Sequence, residues 1–451
     1  MEKNNQQLFD TLRTEWPVLQ YASYRHYVSD RGLEFEFEFR LSDDVVFRPH
    51  SWIEQRPFLN FNQPVETLNI LAFNIGMIEL ISYWKCVCPK QIDVLCGALS
   101  ESDVAFWKKL YWNGLGEFFY TNGINTDIEH FTSIHAGTNS LSSPDQVLIN
   151  TCQYLVPVGG GKDSVVTWEL LKRAGYTVRP LIMNPRGATI GCVEAGGVTI
   201  NDAVIIHRSI DPLLLEMNAK GCLNGHTPFS AMLAFYALVA SVASGMGSIA
   251  LSNENSANES TVLGTSVNHQ YSKGIEFEAD FGRYVRESMH LGCRYFSFLR
   301  PLSELQIAMI FSRLEAYHDV FRSCNVGSKT DSWCGNCAKC LFAYIILSPF
   351  IEPRKLNAIF GKSMLDDIRL APIFEQLVGH AATKPFECVG TVDEVNTALA
   401  MAIDRWYATD RPALLVDYRP TASVDLAHLC NEHFLNNEEI SILQQCIASI
   451  S

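Results

Sequence analysis

Residues 154–175 read YLVPVGGGKDSVVTWELLKRAG, and this stretch decides the fold. It opens with a short apolar run at 154–158, the pattern of a buried strand. Three glycines follow, Gly159, Gly160 and Gly161, and then Lys162, Asp163 and Ser164. From 163 to 174 the apolar positions Val165, Val166, Leu170 and Leu171 keep helical spacing. A glycine turn between strand and helix lets backbone N–H groups approach an anion, and the helix start adds unpaired donors and a positive dipole end. Ser164 adds a hydroxyl donor, Lys162 a counter-charge, and Asp163 a carboxylate able to hold Mg²⁺. Downstream, 178–183, 203–206 and 249–251 read as further strands, with a long helix over 228–244. Strands alternating with helices predict an α/β fold with a doubly wound, mainly parallel sheet. In such sheets ligands gather at the carboxyl ends of strands, here the loops after 158, 184 and 251.

The glycine loop is not a Walker A motif, which needs glycine where Val156 stands and Ser or Thr where Asp163 stands. The dinucleotide pattern GxGxxG fails too, because Asp163 and Ser164 interrupt its spacing. The stretch resembles the SGGxDS signature of PP-loop ATP pyrophosphatases, with Gly159 in place of serine. That resemblance implies ATP held by its phosphates at Gly159, Gly160, Gly161, Lys162, Asp163 and Ser164, and cleaved between the α- and β-phosphates. The serine hydroxyl is lost at Gly159, but the backbone donors remain.

Three regions are expected: an N-terminal α+β domain over 1–145, suited to substrate recognition, a nucleotide domain over 146–320, and a mostly helical region over 321–451. In the first, LEFEFEF at 33–39 alternates like a strand with one wet face. Phe106, Trp107, Tyr111 and Trp112 read as core, and SIHAGTNSLSSP at 133–144 as a linker or long loop. The apolar stretch VETLNILAFNIGMIELISYW at 65–84 carries Glu66, Asn69, Asn74 and Glu79, so it reads as a buried helix rather than a membrane span. The chain opens on MEKNNQQLFD, with no apolar leader segment, which predicts a cytoplasmic protein. Among 451 residues, 35 are basic and 49 acidic, a net charge of −14 that repels nucleic acid phosphates. That balance makes a nucleic acid substrate less expected.

Four of the 14 cysteines cluster as Cys324, Cys334, Cys337 and Cys340, a C-x9-C-x2-C-x2-C pattern; the other ten are scattered. Four thiolates at this spacing close a tetrahedral Zn²⁺ site with no open position, which makes it structural. An iron–sulfur cluster is the rival occupant, since four thiolates hold those as well. Downstream of a glycine loop of this kind, the pattern is similar to the zinc site of the PP-loop synthases that build 7-deazaguanine nitriles.

The stretch SNENSANES at 252–260 follows a strand at its carboxyl end. Glu254 and Glu259 could bind Mg²⁺ or move protons there, and Asn253 and Asn258 could orient a substrate. His226, at a turn before a helix, and His269, in VNHQYSK at 267–273, are further candidates, while Lys273 has nothing around it to suggest a Schiff base.

Taken in order, VPVGGGKDSVVTWELLKRAG (156–175), LNGHTPFSA (223–231), LSNENSANES (251–260), VNHQYSKGIEFE (267–278), LRPLSELQIA (299–308), WCGNCAKC (333–340) and KPFECVG (384–390) resemble the MurL family of UDP-N-acetylmuramoyl-L-alanyl-L-glutamate epimerases. The resemblance implies a role in peptidoglycan precursor synthesis, inverting the terminal L-glutamate of UDP-MurNAc-L-Ala-L-Glu with ATP and Mg²⁺ and releasing AMP and pyrophosphate. Glu254, Glu259, His226 and His269 are then the candidate proton-transfer groups. Two other readings stand beside it: a different PP-loop enzyme adenylating a nucleobase or tRNA, and a zinc-stabilised ATP-binding module without turnover.

Overall fold

The computed structural model describes residues 4–138, 149–258, 271–381 and 383–450. Among them are fifteen α-helices and eleven strands: β1 (Val18–Ser29), β2 (Gly32–Arg40), β3 (Val46–Phe47), β4 (His50–Glu54), β5 (Gln91–Val94), β6 (Ser133–Ala136), β7 (Asn150–Pro157), β8 (Thr177–Met183), β9 (Val204–Arg208), β10 (Met246–Leu251) and β11 (Arg294–Ser297). The chain forms two compact units that interleave in sequence. The first takes Met1–Leu155, Val204–Ile249 and Gln270–Tyr295; the second takes Val156–Ala203, Ala250–His269 and Phe296–Ser451.

In the first unit β9, β4, β2, β1, β5 and β6 lie side by side in that order. The β1–β2, β2–β4 and β4–β9 pairs are antiparallel, whereas β1–β5 and β5–β6 are parallel. β7 and β10 pair in parallel, with Ile249 opposite Leu155. The sheet is thus mixed where a mainly parallel one was expected: β7–β10, β1–β5 and β5–β6 pair in parallel, and the N-terminal strands β1, β2 and β4 with β9 add an antiparallel ladder. On β2, Leu33, Phe35, Phe37 and Phe39 are at most 2% exposed. Burying each such side chain contributes on the order of 1.5–3 kcal/mol. Glu36 and Glu38, on the other face, pair with Arg25, Arg40 and Arg48.

The helix Val65–Trp84 is apolar on every side and is buried over most of its length, as a core helix of that kind must be. Its buried amide and inner carboxylate are both bonded. Asn74 donates to the Ile70 carbonyl at 2.8 Å and accepts from the Tyr284 hydroxyl at 2.7 Å. Glu79 accepts two bonds of 2.6 Å from the Arg208 guanidinium and one of 2.9 Å from Tyr236. Gly76 has no substitute: a Cβ there would lie 1.8 Å from the Tyr21 hydroxyl. The reading of 133–144 as a loop is corrected as well. Part of the stretch expected as a loop at 133–144 is strand β6, whose Ile134 and neighbours pair with β5. The Ser, Gly and Asn that follow had masked its alternation; 139–148 lie outside the described residues.

The second unit begins within β7 and continues through the glycine loop. The Val158 N–H donates to the Leu181 carbonyl at 2.8 Å, joining the chain beyond β7 to β8. From Glu304 onward the unit is largely helical, as expected. All eight residues of the helix Glu304–Phe311 are buried, and Ser303 and Gln306 close its start as a capping box.

Candidate functional site

Proline and three glycines end β7 and turn the chain into the helix Lys162–Arg173. Gly160 lies at φ +86°, a left-handed conformation that a side chain disfavours, and a Cβ there would sit 3.0 Å from that of Ala188. In front of Gly159 there is open space, with nothing within 4 Å of an added Cβ. Gly161 caps the helix without a side chain, so the donors of the first turn are not occupied by a capping group. The Ser164 hydroxyl donates to the Gly161 carbonyl at 3.1 Å. The loop therefore combines backbone donors, a dipole end and free space, the elements of an anion cradle.

Lys162 points inward. It is 5% exposed, and its ammonium pairs with both Asp163 and Glu304. Burial opposes its charge, but the two carboxylates outweigh burial and keep it protonated. Burial pushes Glu304 well up from the ordinary carboxylate range, against the pull of Lys162, and the charges of Asp163 and Glu254 push the same way. Glu394 adds a fourth carboxyl, raised chiefly by burial, and accepts the Glu304 backbone N–H at 2.7 Å. Among the described residues here, the carboxyls of Asp163, Glu304, Glu254 and Glu394 outnumber the Lys162 ammonium.

The chain after β10 is stitched to the segment 297–302. Leu251 accepts from the Phe298 N–H at 2.8 Å, the Asn253 amide donates to the Ser297 hydroxyl at 3.0 Å, and Asn255 donates to the Leu302 carbonyl at 3.2 Å. The Glu254 carbonyl accepts from Arg300 at 2.7 Å, and its carboxylate from Ser256 at 3.1 Å. Glu254 is 5% exposed.

The sulfurs of Cys324, Cys334, Cys337 and Cys340 all lie within 4.8 Å of one another. The closest separations are 3.5 Å for 337–340, 3.7 Å for 334–340 and 3.9 Å for 324–337. An ion bound to four thiolates at about 2.3 Å sets sulfur–sulfur edges of about 3.8 Å, so these residues fit a metal such as zinc. The Gly327 N–H donates to the Cys324 sulfur at 3.2 Å. Cys337, at the start of the helix Ala338–Leu347, is pulled down to about 5, first by its hydrogen bond with Cys340.

Residues 11–298 match the MurL N-terminal domain, and residues 320–424 match the MurL C-terminal domain. The chain belongs to the MurL family. Proteins named UDP-N-acetyl-alpha-D-muramoyl-L-alanyl-L-glutamate epimerase agree. That of a Micromonospora species is 35% identical over 364 residues, covering 79% of this chain and 80% of its own. That of Salinispora tropica is 35% identical over 367 residues, 80% and 79% of the two chains. The Xanthomonas oryzae pv. oryzae protein is 35% identical over 339 residues, 73% and 74%.

Within this MurL chain, the glycine loop, Glu254 and the four cysteines all belong to the second unit. Glu259 and His269 lie outside the described residues. His226 belongs to the first unit, where its Nδ1 lies 3.2 Å from a Glu117 carboxylate oxygen. Sequence reasoning missed Glu304, whose signal was a carboxylate heading a mostly apolar run, ELQIAMIF. It also missed Lys85, which sits in the apolar run SYWKCVC. The Lys85 ammonium donates at 2.5 Å to both the Gly225 carbonyl and the Thr227 hydroxyl, holding the turn that carries His226.

Burial, helped by the charge of Arg208, lowers Lys85 from 10.5 to about 8. The unfolded chain then binds more protons than the folded one between those values, so this group makes stability rise as pH climbs through the window from about 8 to 10.5. Below about 8 both states are protonated and the slope vanishes. Urea melts at pH 7.5 and 10 should show that rise in the wild type and a much smaller one in Lys85→Met. Equal slopes in the two proteins would mean that another group titrates.

Proposed function

We propose that this MurL-family chain is an ATP-dependent isomerase that inverts the terminal L-glutamate of UDP-MurNAc-L-Ala-L-Glu to D-glutamate, in the cytoplasm, for peptidoglycan precursor synthesis. The observation that carries the reading is the 35% identity, over about four fifths of both chains, to proteins named for that epimerisation. The anion cradle at 159–164 supports the ATP-dependent part. The α-hydrogen beside a carboxylate is hard to remove, because the carbanion would add a second negative charge. A carboxylate oxygen of the substrate attacks the α-phosphorus of ATP, and pyrophosphate leaves. The resulting mixed anhydride has a neutral carbonyl that can delocalise the carbanion as an enolate. A base takes the α-proton, a proton returns to the opposite face, and water releases AMP and the D-glutamyl product.

In this reading Gly159, Gly160, Gly161 and Ser164 cradle the phosphates, and Lys162 supplies positive charge at the loop. Asp163, the most exposed carboxylate of the cluster at 33%, would hold Mg²⁺, which screens the phosphate charge. Glu254, Glu259, His226 and His269 are the candidates for the proton-transfer groups. The four cysteines hold Zn²⁺ as a structural ion with no open position. The test is incubation of the purified chain with ATP, Mg²⁺ and UDP-MurNAc-L-Ala-L-Glu, reading pyrophosphate and D-glutamate. Product without pyrophosphate contradicts adenylation, and neither product contradicts the whole reading.

A further inference from the structure

The nine residues between Cys324 and Cys334 do more than space two ligands. On one flank the Arg322 N–H, two residues before Cys324, donates to the Gly160 carbonyl at 2.7 Å. On the other, Asp331 accepts from the first two N–H groups of the helix Gly187–Ala195, at 3.0 Å from Gly187 and 2.9 Å from Ala188. Ala188 is the residue against which Gly160 packs, since a Cβ on Gly160 would fall 3.0 Å from its Cβ and 3.1 Å from its carbonyl carbon. The two ends of one segment therefore grip both sides of the central glycine of the cradle.

Three features show that this grip is built. Asp331 adopts φ +49°, a conformation that side-chain-bearing residues rarely accept. A Cβ on Gly187 would lie 2.4 Å from the Asp331 carboxylate, so only glycine leaves that carboxylate its place. The segment is also closed on itself: the Ser332 and Thr330 N–H groups donate to the Gly327 carbonyl at 3.1 Å, and Gly327 donates to the Cys324 sulfur.

We infer that Asp331 is a positioning residue for the glycine loop, and that the four-cysteine centre, by fixing the segment 324–334, braces the cradle as well as the fold. This inference rests on the reading of 159–164 as a nucleotide loop. The Asp331 carboxylate touches no substrate in this account; it acts through the helix start at 187–188 and through Gly160.

The experiment uses the full chain, purified with its metal, as wild type, Asp331→Ala and Asp331→Asn. Amide hydrogen exchange is followed at 159–163 and 187–190, and ATP binding is measured by equilibrium titration. Asp331→Ala should speed exchange in both segments and weaken ATP binding by about tenfold, the scale of one lost charge-assisted bond. The rate of pyrophosphate release at saturating ATP should change little. Asp331→Asn, which keeps one acceptor, should fall between. Stripping metal from the wild type should raise exchange in the same two segments. The brace is overturned by unchanged exchange at 159–163 in Asp331→Ala, or by ATP binding equal to or tighter than that of the wild type. A wild type that binds no ATP overturns the nucleotide reading as well, and is recognised separately because the variants are not needed to see it.

Discussion

Lys162→Met should release no pyrophosphate and should lower the stability of the chain by about 1–3 kcal/mol, because it leaves the buried Glu304 carboxyl without its hydrogen-bond partner. Both partners are nearly sealed, each side chain 6% exposed, so solvent does little to soften the loss. The second variant separates folding from chemistry. In K162M/E304L the unpartnered carboxyl is gone and two apolar side chains of similar bulk fill the space. Replacing a buried ion pair in this way is often neutral or stabilising, so most of the stability should return. Pyrophosphate release should not return, since the ammonium at the loop is still missing. Denaturant melts and a pyrophosphate assay on the same preparations decide it. Recovery of activity with recovery of stability would show that Lys162 serves the fold alone.

The second large effect is expected at the cysteines. Cys337→Ser removes the sulfur that lies 3.5 Å from Cys340 and within 4.8 Å of the other two. Structural zinc sites contribute on the order of 10 kcal/mol in small domains, and a site that has lost one of four ligands keeps only part of that. The variant should purify with little metal and melt well below the wild type, whereas the wild type should carry about one equivalent of zinc. Wild-type protein purified without chelator and holding less than about half an equivalent of any metal would contradict the closed site. Visible absorption of an iron–sulfur cluster would replace zinc by the rival occupant without changing the ligands.

Much of this architecture was legible in advance where one stretch carries its own reason. The expected helix over 163–174 is observed at Lys162–Arg173, and the expected strand over 178–183 at Thr177–Met183. The apolar run at 65–84 is a buried helix, and two of the four polar residues that argued against a membrane span, Asn74 and Glu79, bond Tyr284, Arg208 and Tyr236. The cysteine spacing brought four sulfurs together because ligands two residues apart need little from the rest of the fold. What escaped were partners distant in sequence. Glu304 meets Lys162 across 142 residues, and Asp331 meets Gly187 across 144. Nothing local to Asp331 distinguishes it from a solvated loop carboxylate. Glu304 and Lys85 did leave a trace, each a charge set in an apolar run, which a buried chain tolerates only with a partner.

In the proposed reaction, inversion passes through an adenylated glutamyl group whose α-hydrogen leaves and returns. The most direct measurement is epimerisation of UDP-MurNAc-L-Ala-L-Glu in deuterated water, with and without ATP, followed by mass analysis of the glutamate released. The D-glutamate should carry deuterium at its α-carbon, form only when ATP and Mg²⁺ are present, and be accompanied by pyrophosphate. Inversion that proceeds at the same rate without nucleotide would contradict that reaction.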